Sequence, residues 1–94
     1  MKARNAGAAV KFQDIPNIGP AMVEDFMLIG LKKPMDLKGK DAFFLYQKLC
    51  KRTGTRHDPC VLDTFIAAVD FMNGAPPRPW WQYTKDRKKR FPAV

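Results

Sequence analysis

The heptapeptide Ile15-Pro16-Asn17-Ile18-Gly19-Pro20-Ala21 combines a tight turn with the start of an amphipathic helix. Pro16 favours a turn, and Gly19 is free to adopt backbone angles that other residues avoid. Pro20 suits the first turn of a helix, where its missing N–H removes no hydrogen bond. Because no acidic side chain follows in that turn, the free N–H groups carry partial positive charge and favour an anion such as phosphate.

Basic residues dominate the charge of the chain. Its 94 residues contain 17 Lys and Arg against 9 Asp and Glu, a formal net charge of +8. The segment Lys85-Asp86-Arg87-Lys88-Lys89-Arg90 contributes five positive charges and one negative. Such a balance favours polyanions, above all nucleic acid, although a solubilising charge with a loose tail is the alternative. We predict one domain over residues 1–84 and a basic C-terminal tail over residues 85–94.

Membrane insertion and secretion are not expected from this sequence. No apolar run approaches the roughly 18 residues that a membrane-spanning helix needs. The apolar residues 6–10 are too few for the core of a signal peptide. We therefore predict a cytoplasmic protein without a membrane partner, with Cys50 and Cys60 reduced.

Apolar residues recur at helical spacing along most of the chain, which predicts an all-α fold with four to five short helices around one core. Asp41 and Asp58 are suited to cap helices, and Pro59 fits a first helical turn. Residues 75–79 contain three prolines and should be extended. The predicted helices cover residues 2–13, 20–29, 42–52 and 59–72, with single turns at residues 35–37 and from residue 84.

A second, degenerate turn between helices is suggested by Gly54 and Pro59, which echo Gly19 and Pro20. The two turns differ in charge, because Asp58 supplies its own anion to the helix that follows. If both are hairpins, only the first should meet phosphate.

The first turn, followed by apolar helix positions and Ile29-Gly30-Leu31, resembles a helix-hairpin-helix motif. That resemblance implies contact with DNA backbone phosphates without readout of base sequence. The same stretch is similar to the C-terminal domain of competence regulators of the TfoX type. A wider pattern resembles a small bacterial family known as pathogenicity-locus or helix-hairpin-helix proteins, sometimes as mitomycin-resistance proteins. The residues that carry this wider resemblance are Asp36-Leu37, Leu45-Tyr46, Leu49-Cys50, Thr53-Gly54, Arg56-His57-Asp58-Pro59-Cys60-Val61 and Pro79-Trp80-Trp81.

The sequence departs from the helix-hairpin-helix pattern at two positions. Asn17 stands where many such motifs have their first glycine, and Ala21 stands where many DNA-binding members have Lys or Arg. Asparagine tolerates left-handed backbone angles, so the turn can form. Four lysines flank the far end of the predicted helix and are candidates for a phosphate track, with simple solvation as the alternative. The predicted DNA-binding residues are Asn17, Gly19, Ala21, Met22, Lys32, Lys33, Lys38 and Lys40.

A second cluster contains Arg56, His57, Asp58 and Cys60, with Cys50 ten residues upstream. Two thiolates and an imidazole could supply three zinc ligands, but their spacing matches no standard zinc pattern. A Cys–His nucleophile pair is the other chemical interpretation. We favour a structural role in which Asp58 caps a helix, the basic side chains bond nearby groups and both cysteines pack. No metal, cofactor or catalytic residue is therefore predicted.

The aromatic residues Trp80, Trp81 and Tyr83 follow the proline-rich segment. They could stack on unpaired bases, dock onto a protein partner, or fold back to close the core, and we favour core closure by at least one Trp. Residues 85–90 would then be a flexible electrostatic arm or a disordered tail.

Together these observations predict a non-enzymatic, sequence-nonspecific DNA-binding module. The alternative is a protein–protein interaction module, in which the hairpin is a structural joint and the segment with Pro79 and Trp80 is the contact surface.

Overall fold

A computed structural model describes residues 2–94 and contains four α-helices within them. They are α1 (Pro20–Leu28), α2 (Ala42–Thr53), α3 (Pro59–Met72) and α4 (Thr84–Arg90). Short 3-10 turns lie at Ala6–Ala8, Phe12–Asp14, Pro34–Leu37 and Trp80–Tyr83, and residues 2–94 include no strand. The predicted all-α fold is confirmed. None of the helices in this part of the chain is both long and apolar enough to cross a membrane.

Helix α3 is the centre of the core. It packs against α2, α4 and the 3-10 turns at Pro34–Leu37 and Trp80–Tyr83. The ring of Phe65 on α3 lies 5.2 Å from that of Phe26 on α1, which lies 5.1 Å from that of Phe12. These three buried rings join the N-terminal segment and α1 to the centre of the molecule.

Local capping signals begin and end the helices where the sequence predicts. The Asp41 carboxylate accepts hydrogen bonds from the N–H groups of Phe43 and Phe44 at the start of α2. Gly54 ends that helix with a φ of 69°, in the left-handed region that glycine adopts without strain. Asp58 accepts from the Cys60 N–H at 2.8 Å, and Pro59 is the first residue of α3.

The predicted helix over residues 2–13 is wrong. Two 3-10 turns replace it, and side chains satisfy the backbone there: Asn5 accepts from the Ala8 N–H, and Asp14 from those of Val10 and Lys11. Bonds of this kind compete with the regular helical pattern. The Ala3 N–H also donates to the Asp14 carbonyl, which closes the segment into a loop.

The interpretation of residues 85–90 as a flexible or disordered arm is also wrong. They belong to α4, and Arg87 is buried against Asp63 of α3, with Arg87 Nε 2.8 Å from Asp63 Oδ1. The Thr84 hydroxyl donates to the other carboxylate oxygen at 2.7 Å. Beyond α4, the Phe91 ring stacks on Phe43 of α2 at 4.3 Å. The boundary predicted after residue 84 thus falls in the first turn of a packed helix.

The aromatic segment before α4 was expected to close the core with at least one Trp, but a tyrosine is the residue that it buries. Tyr83 is its buried aromatic residue, and its hydroxyl donates to Asp70 Oδ2 at 2.7 Å. Trp80 is half-buried and Trp81 is 61% exposed. The buried Tyr83 hydroxyl thus has a hydrogen-bond partner inside the protein, as buried tyrosines usually do. The Trp81 indole lies at the surface.

Candidate nucleic-acid interface

The turn at residues 15–19 is held by two buried isoleucines. Ile15 and Ile18 are 0% and 1% exposed, and the Ile18 N–H donates to the Ile15 carbonyl. Asn17 adopts the positive φ of the turn, 74°. Gly19 instead has an extended backbone, with φ −108° and ψ −176°. The left-handed residue of the turn is therefore Asn17, a conformation that asparagine tolerates, and Gly19 does not use its conformational freedom here.

The N-terminus of α1 is open. Gly19 is its N-cap and offers no side chain, and the first turn contains no acidic residue. Among the hydrogen bonds found within residues 2–94, none uses the N–H of Gly19, Ala21 or Met22. A Cβ atom added at Gly19 would meet nothing within 4 Å. Within the described part of the chain, these three N–H groups thus have no hydrogen-bond partner, and the space next to the Gly19 α-carbon is unfilled.

Two lysines that the sequence analysis did not select lie beside this helix start. Lys2 and Lys11 line a groove of about 500 Å³ together with Gly19 and Pro20. The Lys2 ammonium donates to the carbonyls of Gln13 and Ile18, which fixes it next to the turn. Lys2 therefore supplies a cation near the place where Ala21 lacks one. Its position depends on the loop fold of the N-terminal segment, which no local sequence pattern indicates.

The groove also contains a carboxylate, that of Asp14. Asp14 accepts the Val10 and Lys11 N–H groups, and these bonds hold its pKa below the ordinary value. The groove therefore carries one negative charge, that of Asp14, together with the two positive charges of Lys2 and Lys11.

The four predicted lysines do not form one track. Lys32 lines a neighbouring groove of about 260 Å³ with Lys11 and Val23. Lys2, Lys11 and Lys32 therefore follow one side of α1, and we call them the basic edge. Lys40 lines a different cleft, beside Phe43 and Arg90.

Lys33 and Lys38 are exposed and flank the 3-10 turn at Pro34–Leu37. The Lys33 N–H is bonded to Asp36, but no hydrogen bond or ion pair connects the side chains of these two lysines to the turn at residues 15–19 within the part of the chain that is described.

Asn17 uses its side chain inside the protein. Its Nδ2 donates to the Arg78 carbonyl at 2.8 Å, and its Oδ1 accepts from the Trp80 N–H at 3.2 Å. The amide thus ties the turn at residues 15–19 to the proline- and tryptophan-containing segment. Asn17 was predicted as a DNA contact, and the structure gives it this tethering position.

The side chains of the cluster around Cys50 and His57 form hydrogen bonds within the protein. The His57 N–H donates to Cys50 Sγ at 3.5 Å, and His57 Nε2 lies 2.9 Å from Thr53 Oγ1. Arg56 donates to the Ala93 carbonyl at 2.8 Å. Within residues 2–94, no group of three or more His, Cys, Asp or Glu side chains is arranged to hold a metal ion.

The Cys60 thiol lies in the first turn of α3, where the helix dipole alone would favour a thiolate. The neighbouring Asp58 side chain reverses that tendency: its hydrogen bond, its charge and some desolvation raise the pKa of Cys60. Asp58 itself has a lowered pKa because it accepts the Cys60 N–H. The arrangement caps a helix and opposes a thiolate nucleophile.

Replacing Asp58 by Asn should lower the Cys60 pKa, because the amide can still accept the cap hydrogen bond but carries no charge. We expect Asp58→Asn to shift the pH profile of alkylation by iodoacetamide towards lower pH. A Cys50→Ala background isolates the signal of Cys60. An unchanged profile would mean that Asp58 does not control this thiol.

A family comparison confirms the resemblance to pathogenicity-locus proteins. The sequence pattern of the pathogenicity-locus family matches residues 5–89, and the chain belongs to that family.

A curated relative adds a second comparison. The chain is similar to "Mitomycin resistance protein McrB" of Streptomyces lavendulae, with 41% identity over 73 residues that cover 78% of this chain and 70% of the relative. No solved structure matches the chain.

Proposed function

We propose that this protein is a non-enzymatic module that binds DNA through backbone phosphates, without reading base sequence. The observation that carries the proposal is the N-terminus of α1, where the N–H groups of Gly19, Ala21 and Met22 have no hydrogen-bond partner within residues 2–94 and the first turn contains no acidic residue. A phosphate oxygen seated there would accept these N–H groups and meet the positive end of the helix dipole.

Charge around the helix start supports the same proposal. The basic edge, formed by Lys2, Lys11 and Lys32, borders the grooves on one side of α1. Lysine ammonium groups attract neighbouring phosphates without directional readout, which suits binding to any sequence. The net charge of +8 adds long-range attraction to a polyanion.

Helix α3 provides an internal comparison. Its N-terminus also begins with a proline, but the Asp58 carboxylate already occupies the helix start. A phosphate there would meet a fixed negative charge. The proposal therefore assigns the phosphate to α1 and not to α3.

The relative's name gives the proposal a context. A role in resistance to mitomycin is compatible with a protein that binds DNA in the cytoplasm, and it requires no repair reaction by this chain.

The test is a titration of the ¹⁵N-labelled protein with a 12-base-pair duplex at low and at physiological salt. We expect the amide signals of Gly19, Ala21 and Met22 to shift, and the affinity to fall steeply as salt rises. Lys2→Ala and Lys11→Ala should each reduce the slope of log K against log salt by about 0.9. Lys51→Ala on α2 is the matched control and should leave the slope unchanged.

Two results would refute the proposal. One is an affinity that does not depend on salt. The other is a set of shifts confined to α3 and α4, with the amides of the α1 N-terminus unaffected.

A protein-interaction module is the second candidate, because exposed Trp81 offers an apolar contact surface. In that case the turn at residues 15–19 is only a joint. A carboxylate introduced at position 19 separates the two candidates, since it should weaken DNA binding and leave contacts through Trp81 in place.

A further inference from the structure

The Trp81 indole is exposed but stands on a fixed backbone. It lies in the 3-10 turn Trp80–Tyr83 and is 61% exposed. After it, Tyr83 is buried, and burial together with its bond to Asp70 raises the Tyr83 pKa to about 12. Before it, the Trp80 N–H is held by Asn17. Because the residues on both sides are held, the backbone that carries Trp81 loses little conformational freedom when the indole binds a ligand.

The same tether limits the distance between the Trp81 backbone and the start of α1. Asn17 is two residues from Gly19, and its side chain bonds the residue next to Trp81. With about 3.8 Å between successive Cα atoms, the Cα atoms of Gly19 and Trp81 are roughly 20 Å apart or less. A few nucleotides of extended strand can bridge such a distance.

The backbone conformation of the turn does not by itself require asparagine at position 17. Its φ of 74° is one that glycine adopts without strain. What asparagine adds is the pair of hydrogen bonds to Arg78 and Trp80. The side chain therefore connects the phosphate-facing turn to the aromatic segment, and Asn17 is a positioning residue for Trp81.

We propose that Trp81 stacks on an unpaired base of a strand whose phosphate lies at the N-terminus of α1. The preferred ligand is then single-stranded DNA, because the bases of an intact duplex are already stacked on one another. Every base offers a flat face to an indole, so this preference needs no sequence readout. The inference rests on the function proposed above and specifies its substrate class.

The experiment compares a 12-nucleotide thymidine strand with a 12-base-pair duplex at the same salt concentration, by fluorescence anisotropy of labelled DNA. We expect the wild-type protein to bind the single strand about tenfold more tightly than the duplex. Trp81→Ala should abolish this preference, and Trp81→Phe should retain most of it. Phe44→Ala removes another exposed aromatic side chain, on α2, and should leave the preference unchanged.

A second variant tests the tether without removing the indole. Asn17→Gly permits the positive φ and deletes both hydrogen bonds. We expect its single-strand preference to fall several-fold, because Trp81 is no longer held beside α1. In a Trp80→Phe background, thymidine binding should quench the emission of Trp81, and Asn17→Gly should reduce that quenching. Circular dichroism and thermal melting verify that each variant is folded.

The outcomes separate the two proposals. If the protein binds both DNA forms and Trp81→Ala leaves their ratio unchanged, the stacking inference is wrong and DNA binding stands; Trp81 is then left for protein contact. If the folded wild-type protein binds neither form at low salt, the proposed function itself fails.

Discussion

Gly19→Glu is expected to weaken duplex binding about 100-fold. The new carboxylate would occupy the space beside the N–H groups of Ala21 and Met22 and repel the incoming phosphate. Loss of one or two hydrogen bonds to a charged group, each about 1.5–3 kcal/mol, accounts for this magnitude. The fold should persist, because Gly19 has an extended backbone and a Cβ there meets open space.

Gly19→Gln is the matched control, since glutamine has nearly the same size and shape but no charge. We expect it to lose much less affinity than Gly19→Glu, and the difference between the two isolates the electrostatic contribution. Anisotropy of a labelled duplex measures both, with thermal melting as the test of folding. Equal affinities for a folded Gly19→Glu protein and the wild type would exclude the N-terminus of α1 as the phosphate site.

Arg87→Ala should reduce the free energy of unfolding by about 3–5 kcal/mol, the usual effect of removing one partner of a buried ion pair. The Asp63 side chain is fully buried, and Arg87 donates to its carboxylate. The pair also raises the pKa of Arg87, because the charged form is the one that Asp63 stabilises. Without Arg87, only the Thr84 hydroxyl would compensate the buried negative charge.

This loss would be large for a domain of this size, whose total stability is on the order of 5–14 kcal/mol. Urea denaturation monitored by circular dichroism measures it. Lys88→Ala, at the exposed neighbouring position on α4, should change stability by less than about 0.5 kcal/mol. The double variant Asp63→Leu/Arg87→Met should be more stable than Arg87→Ala, because no unpaired charge remains. A loss below about 1 kcal/mol for Arg87→Ala would show that the ion pair does not anchor α4.

Much of the fold was predictable because its helices begin and end at local signals. Asp41, Gly54, Asp58 and Pro59 act on neighbouring backbone groups, so their effect can be read without knowledge of the tertiary structure. The packing of α4 could not be predicted for the opposite reason. Asp63 and Arg87 are 24 residues apart, and nothing in either local stretch indicates that they pair.

In the candidate site, too, the features set by local sequence could be predicted and those set by distant contacts could not. The open start of α1 follows from a short motif, and the structure contains it. Glycine and asparagine can both take a positive φ, so the sequence leaves open which residue of the turn does so, and the folded turn places it at Asn17. Lys2, which was not among the predicted DNA contacts, lies in the groove beside Gly19, whereas the predicted contact Lys40 lies in a different cleft. The lining of each groove depends on how distant segments pack, which local sequence does not reveal.

The bonds from Asn17 to Arg78 and Trp80 span 61 and 63 residues of chain. On the ribosome, the turn that carries Asn17 emerges several seconds before its partners, at about 5–20 residues per second. The nascent chain therefore displays a basic loop and the start of α1 before Asn17 can bond the backbone of Arg78 and Trp80. The link between the two segments therefore forms only after residues 78–80 have been synthesised.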